Sequence, residues 1–248
     1  MEGYYYEKIA LDYDLKRRKP WKPLEDFISY LKVKGYSFNG INLDLGCANG
    51  RHFKLLKNSK NKIVGIDNSN DFLKIACTNL KDATQYEKKD SNNIQTILAD
   101  IRQLPLRPDV IHNVFSIATI HHIKSKAARK YLLNEIFKIT RKNGFIILTV
   151  WRRWQKKYKD DFLNDKIRRL FNLKYKKRQE QLGLYEFGDK IIPWTVSSTK
   201  IKQERFYHFF SKKEIKRLIK PSQIKELKKS GGSTDKDNFF ILAQNIRT

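Results

Sequence analysis

Leu43-Asp44-Leu45-Gly46-Cys47-Ala48-Asn49-Gly50, followed by Val64-Gly65-Ile66-Asp67 and then Leu98-Ala99-Asp100, holds the residues best placed to do chemistry in this chain. An apolar run enters a glycine-bracketed turn, and an acidic residue closes the next apolar run about twenty positions on. This is the layout of a strand–turn–helix–strand unit that holds an adenosine. The glycines let the backbone approach the ligand, and Asp67 can accept from two ribose hydroxyls. There is no Gly-x-x-x-x-Gly-Lys-Ser/Thr loop, so a triphosphate cradle has no support. Gly46-x-x-x-Gly50 also falls short of the Gly-x-Gly-x-x-Gly that brings a pyrophosphate to a helix N-terminus. Asp44 and Asp100 would sit badly against phosphates and suit a cation.

S-adenosylmethionine presents a sulfonium, an ammonium and an adenine amine, each favoured by acidic or carbonyl groups. The Asp-x-Gly-x-x-x-Gly run with its later aspartates resembles the signature of class I methyltransferases. The resemblance implies cofactor contacts from Asp44, Gly46, Cys47, Ala48, Gly50, Asp67, Asn68, Asp100, Ile101 and Ser116. A second chemical feature is Phe115-Ser116-Ile117-Ala118-Thr119-Ile120-His121-His122. Ligands of doubly wound sheets bind at the carboxyl ends of the strands, which puts His121 and His122 at a pocket mouth. A metal would need further ligands that this motif does not supply.

The elements that must position these groups alternate between helix and strand patterns, as an α/β doubly wound fold requires. A helix is predicted over 21–34 from the spacing of Leu24, Phe27, Ile28 and Leu31. Strands are predicted over 41–46, 62–67, 94–100, 110–119 and 145–151. Helices are expected over 49–58, from a Ser69 or Asn70 cap to about Leu80, and over 125–140, the last closed by Asn143-Gly144. Residues 81–93 have no apolar period and read as a polar loop. The stretch 152–190 reads as a basic insertion, followed by an amphipathic helix over 211–220. Two final runs, 224–227 and 239–242, form a hairpin joined by the Gly231-Gly232 turn.

The 248 residues suffice for one α/β domain with an elaboration, and no transmembrane or secretory segment is visible. Cys47 and Cys77 suggest neither a zinc site nor a disulfide framework, which makes a reducing, cytoplasmic or nuclear setting the default. The 52 Lys and Arg against 26 Asp and Glu leave a net charge of +26, a field that attracts polyanions. Lysine bias of a genome would explain abundance but not clustering. Five of seven residues over 16–22 are basic, as are 12 of 27 over 152–178, against three acidic. Trp21, Trp151, Trp154, Tyr158, Phe162, Phe171 and Tyr175 lie among them. Aromatic faces stack on unpaired bases while cations track phosphates, which favours RNA or single-stranded DNA over a duplex.

Several segments resemble one family. Arg17-Arg18-Lys19-Pro20-Trp21, Leu45 to Gly50, Ser116-Ile117-Ala118 with His121-His122, Ile192-Pro193-Trp194, Arg205-Phe206-Tyr207-His208-Phe209 and Asp237 to Gln244 are similar to eukaryotic-type tRNA methyltransferases that esterify 5-carboxymethyluridine at the wobble position. The resemblance spans the chain apart from 152–190. It implies a single methyltransferase domain over 1–248. Its seven-stranded, mostly parallel sheet would end in an antiparallel hairpin, and residues 1–40 would cover substrate and cofactor. It implies S-adenosylmethionine as cofactor, tRNA as substrate and a small zinc-binding activator subunit as partner, with no membrane association. Arg17 is then the first candidate to grip the substrate carboxylate and Arg205 the second, since a guanidinium matches a carboxylate in a bidentate fork. His121, His122, Tyr207 and His208 would shape the base pocket. Trp21 or Trp194 would stack on a flipped base, with Lys19, Arg152 and Arg153 on the RNA. The family's turn usually reads Gly-Cys-Gly-Asn-Gly. Here Ala48 replaces the middle glycine, at a cost of roughly 1–2 kcal/mol if its backbone is left-handed. A methyltransferase for another RNA position or a small acid, and a silent RNA-binding scaffold, are the competing readings. The basic clusters argue against a small acid, and the intact Asp44, Gly46, Gly50, Asp67 and Asp100 argue against a silent scaffold.

Overall fold

A computed structural model describes residues 6–86, 93–219 and 223–246. Its centre is a seven-stranded sheet built from β1 (Gly40–Leu45), β2 (Asn61–Asp67), β3 (Ile94–Leu98), β4 (Ile111–Ile117), β5 (Thr140–Trp151), β8 (Gln223–Ser230) and β9 (Asn238–Gln244), in the order β3-β2-β1-β4-β5-β9-β8. The first five strands run parallel, β9 is antiparallel to β5, and β8 is antiparallel to β9. The mostly parallel sheet ending in a hairpin is the architecture that the sequence implies. The order reverses at β1, flanked by β2 and β4, and an open α/β sheet binds its ligand outside the strand ends at such a point.

Both faces of the sheet are covered, which accounts for the nearly continuous apolar character of its central strands. On one side α2 (Lys22–Val33) buries Leu24, Phe27, Ile28 and Leu31, one stripe of a 3.6-residue period, against Phe115, Ile147 and Phe240. On the other, α5 (Lys126–Ile139) buries Leu132, Leu133, Ile136 and Phe137 among Val114, Ile146 and Ile241. Ser125 caps α5 by accepting from the Ala128 N–H at 3.2 Å.

Three boundaries depart from the sequence reading. The helix expected over 49–58 shrinks to α3 (Phe53–Leu56), because Gly50 has φ +70° and the chain is still turning there. By contrast α4 (Asn70–Tyr86) runs past Leu80: Lys81 to Tyr86 contain no glycine or proline, so helix propagates into the expected polar loop, whose 87–92 lie outside the described residues. Asn143-Gly144 does not close α5. The chain passes from α5 into β5 at Thr140, and Asn143 (φ +65°) sits in a bulge where the register slips between Ile111 and Asn113.

The predicted basic insertion folds as α6 (Lys159–Phe171) and α7 (Leu173–Gln181). After it, β6 (Asp189–Thr195) and β7 (Lys202–His208) form a separate antiparallel pair, and α8 (Lys212–Leu218) is closed by a Ser211–Glu214 capping box. Before the sheet comes a seven-residue helix, α1 (Ala10–Lys16).

Candidate active site

The turn leaving β1 is fastened to β2 by its backbone. Gly46 and Cys47 both donate their N–H to the Ile66 carbonyl, at 2.7 and 3.0 Å. Gly46 has φ +75°, and a Cβ there would collide with the Thr119 methyl, so the turn packs directly against the loop after β4. Ala48 is left-handed at φ +47°, the strained alternative. Its N–H donates to Asp67 Oδ2 at 2.9 Å, while Asp67 Oδ1 accepts from Ser69 N–H at 3.0 Å. Backbone donors from two loops thus hold the Asp67 carboxylate, although burial still pushes its pKa up.

Asp44 is the informative group. It is 1% exposed, its Oδ2 has no hydrogen-bond partner, and its pKa is pushed up to about 7 by burial first, then by the Asp67 charge, with Arg51 opposing. Asn49 Oδ1 and Ser116 Oγ are also buried without partners. Unpaired acceptors of this kind are costly unless a ligand supplies donors or positive charge. An ammonium or sulfonium with a ribose fits that demand, and a phosphate does not.

Other cofactor candidates are placed less directly. Asp100 is already forked by Arg102, whose Nε lies 2.9 Å from Oδ2, and this pairing holds its pKa below the ordinary range. The Cys47 side chain packs inward, against the space that a side chain on Gly65 would need, so only its backbone faces the turn. Ile101 is half-buried against the apolar core, and Asn68 is exposed.

After β4, Ile120–His122 forms one 3-10 turn packed on β7. His121 is 1% exposed, stacks on Tyr207 with ring centroids 4.9 Å apart, and meets His122 edge-on at 4.4 Å. Trp151 closes the cluster 4.5 Å from Tyr207. Burial depresses both imidazoles, His122 to about 3, with the Arg205 charge adding to the effect; burial also pushes Tyr207 up to about 12. At neutral pH these three form an uncharged aromatic wall. The guanidinium of Arg205 lies 5.1 Å from the centre of the Tyr207 ring and 4.9 Å from that of Trp194, and its buried Nε has no partner. Arg17 is exposed at the end of α1, with Nη1 on its own chain at the Lys16 carbonyl (3.0 Å), and it stands near enough for its charge to act on Tyr207.

Four candidates belong elsewhere. Trp21 packs on Phe240 at 5.0 Å, beneath the sheet hairpin, and is not placed to stack on a base. His208 is 1% exposed, and its two ring nitrogens lie 2.7 Å from Asp189 and 2.7 Å from Glu214, which makes it a structural node instead of a pocket wall. Arg153 is buried, with Nη2 on Glu214 at 2.8 Å and Nε on the Phe209 carbonyl, so it is not available to RNA. Arg152 is half-buried and donates from Nε to the Lys236 carbonyl at 2.7 Å; Lys19 is exposed. Glu186, His208 and Glu214 bring ligand-type atoms within 4.8 Å of one another. The guanidinium of fully buried Arg129 lies 2.7 Å from Glu186 and 3.9 Å from Glu214, so the carboxylates are already compensated by cations.

The sequence reading missed Asp12 and Asp14. Asp14 Oδ1 accepts from Asn49 Nδ2 at 2.7 Å and from Asn79 Nδ2 at 3.1 Å. Asp12 accepts from Trp194 Nε1 at 2.7 Å and Ser197 N–H at 2.8 Å. The signal in the sequence is the i,i+4 spacing of Asp12 with Lys16 and of Asp14 with Arg18, and the structure pairs them at 2.6 and 3.3 Å.

A family profile described as a methyltransferase domain matches residues 43–148, from β1 into β5. The tRNA (carboxymethyluridine(34)-5-O)-methyltransferase of Schizosaccharomyces pombe is 26% identical over 96% of this chain and 93% of its own. The Arabidopsis thaliana protein of the same name is 27% identical over 59% of this chain, a match spanning 31% of the plant protein. Among solved structures, a SAM-dependent methyltransferase of Methanosarcina mazei shares the fold with a TM-score of 0.65 at 17% identity, over 88% of this chain and 98% of that one. Sequence and fold agree: the chain carries a methyltransferase domain, is similar along nearly its whole length to a tRNA carboxymethyluridine methyltransferase, and has the fold of a SAM-dependent methyltransferase.

Proposed function

We propose that the chain methylates the carboxylate of 5-carboxymethyluridine at the tRNA wobble position, giving the methyl ester. The observation that carries this reading is the buried, unpartnered Nε of Arg205 over an uncharged wall of His121, His122 and Tyr207. A carboxylate is already ionised at neutral pH, so its methylation needs a cationic grip and alignment but no base. An imidazole held near 3 is a feeble base, and a phenol near 12 is not ionised, so the wall suits an acceptor that arrives as an anion. Arg205 and Arg17 would hold one carboxylate oxygen while the other stays free to attack. S-adenosylmethionine supplies the electrophilic methyl, and Asp44, Asp67, Ser116 and the 46–50 backbone are the groups that would hold it. Trp194, beside Arg205, would stack on the uridine.

Two further parts of the reading concern partners. β3 lies at the sheet edge, and the Leu98 side chain there is 56% exposed; an unpaired edge of this kind supports docking of a small activator subunit by strand addition. Among the described residues no helix is long and apolar enough to cross a membrane, and tRNA as substrate points to the cytoplasm or nucleus.

The test is label transfer from S-adenosylmethionine to tRNA bearing 5-carboxymethyluridine, with and without the activator, followed by mild alkali. Alkali-labile label at the wobble uridine is expected. Alkali-stable label would move the acceptor to another group. Arg205→Ala and Arg17→Ala are each expected to abolish ester formation while cofactor affinity stays within about threefold; full turnover in either variant removes that arginine from its role.

A further inference from the structure

Helix α1 is built inside out. Its leucines face away from the protein, Leu11 being 76% and Leu15 78% exposed, while Asp12 and Asp14 are 7% and 6% exposed. Seven residues do not make a stable helix in water; this one packs Ala10, the preceding Ile9 and the Tyr13 ring, which meets Phe72 of α4 at 5.2 Å and Trp194 at 5.6 Å. Polar contacts add to that packing, and like the Tyr13 ring they go to two different places. Asp14 grips the cofactor turn through Asn49 and the neighbouring α4 through Asn79. The same Asn49 amide reaches the Arg17 carbonyl at 3.1 Å, fixing the end of the helix that carries the arginine. Asp12, half a turn earlier, gathers the β6–β7 hairpin through the Trp194 indole N–H and the Ser197 backbone N–H, and pairs with Lys16.

We propose that α1 is a coupling strap, with Asp12 and Asp14 as positioning residues that make cofactor binding at the turn and RNA binding at the hairpin strengthen each other. This rests on the reading of the β6–β7 side as the RNA side. A ligand that settles the strained 46–50 turn fixes Asn49, which fixes Asp14 and the Arg17 backbone. The ordered helix then presents Asp12 to Trp194 and Ser197. Either ligand bears part of the cost of ordering this short helix, so the second binds to a strap already in place.

The experiment measures the affinity of the full chain for an anticodon stem-loop RNA, with and without saturating S-adenosylhomocysteine. For the wild type, at least about fivefold tighter RNA binding is expected when the nucleoside is present. In Asp12→Ala and Asp14→Ala, each ligand alone is expected to bind within about threefold of wild type, while the coupling falls below twofold. Asp14→Asn keeps an acceptor oxygen for Asn49 and Asn79 and is expected to restore the coupling, a rescue that loss of general stability would not produce. Asn79→Ala approaches the same contact from α4, and is expected to cut the coupling at least twofold where an aspartate variant does not fold. In turnover, the alanine variants are expected to raise the KM for tRNA with cofactor affinity kept. Coupling that survives both alanine variants, or is absent from the wild type while both ligands bind, overturns the strap alone. A wild type that binds S-adenosylhomocysteine but no RNA overturns the substrate reading and the strap with it.

Discussion

Ala48 and Asp44 show what single residues decide in this site. Ala48 stands at φ +47°, where a Cβ costs roughly 1–2 kcal/mol, and its N–H must stay in place because Asp67 accepts from it. Ala48→Gly removes that strain but adds freedom to the unfolded chain, leaving a net gain of about 0.5–1 kcal/mol. A calorimetric melt is expected to rise by about 2 °C; an unchanged or lower Tm would mean that the turn carries no strain. Asp44 titrates from an ordinary 3.8 to about 7 because burial and Asp67 oppose its charge. A raised folded-state pKa means that stability is fully present below about pH 3.8 and is lost as pH climbs through 7 in the chain without cofactor. A cationic ligand prefers the ionised form, so S-adenosylmethionine affinity is expected to rise about eightfold from pH 6 to pH 7.5 with the carboxyl at about 7. Asp44→Asn is expected to bind weakly and with a flat pH profile; a steep profile in that variant would assign the titration to another group. Asp44 and Asp67 were legible in the sequence because a strand end and its turn are local. Asp12 was not, since its indole partner is 182 positions away and no short-range pattern encodes that meeting.

At the scale of elements, the same distinction separates what periodicity could foresee from what it could not. The α2 stripe and the strands beneath it follow from spacing alone, because one face must be buried. His208 sits in a strand whose pattern suits a pocket histidine and a core histidine equally. Its role is settled by Asp189 and Glu214, which arrive from the other strand of the hairpin and from α8. Arg129 from α5 and Arg153 after β5 complete the cluster, so this network fastens the end of the insertion and the β6–β7 hairpin to the main domain. Removing the ring takes a donor from buried Asp189 and from half-buried Glu214, which keeps Arg153; a broken buried pair costs about 3–5 kcal/mol, and the partial exposure of Glu214 puts this case at the lower end. His208→Ala is therefore expected to lower the urea midpoint steeply with cofactor affinity retained. Normal stability with lost turnover would return His208 to the pocket that the sequence suggested.

At the scale of the whole molecule, the net charge of +26 understates how positive the outside is, because many acidic groups are turned inward. Asp12, Asp14, Asp44, Asp67, Asp189 and Asp237 are all buried, and Glu186 and Glu214 face Arg129. On α7, by contrast, Lys174, Lys176, Lys177 and Arg178 are exposed, and Phe171 just before it is 85% exposed. Such a surface holds a polyanion by releasing its counterions, a term that carries no sequence information. Replacing those four cations by Gln is therefore expected to raise the KM for tRNA and leave kcat at saturating RNA and cofactor affinity unchanged. The slope of log KM against log salt should flatten by about 0.7–0.9 for each phosphate that α7 no longer neutralises. Base selectivity, which the proposed function assigns to the Trp194 and Arg205 side of the site, is expected to survive the change. A KM that rises without any change in salt slope would show that α7 supports the fold or a protein partner, and would leave the Arg17 cluster as the main phosphate track.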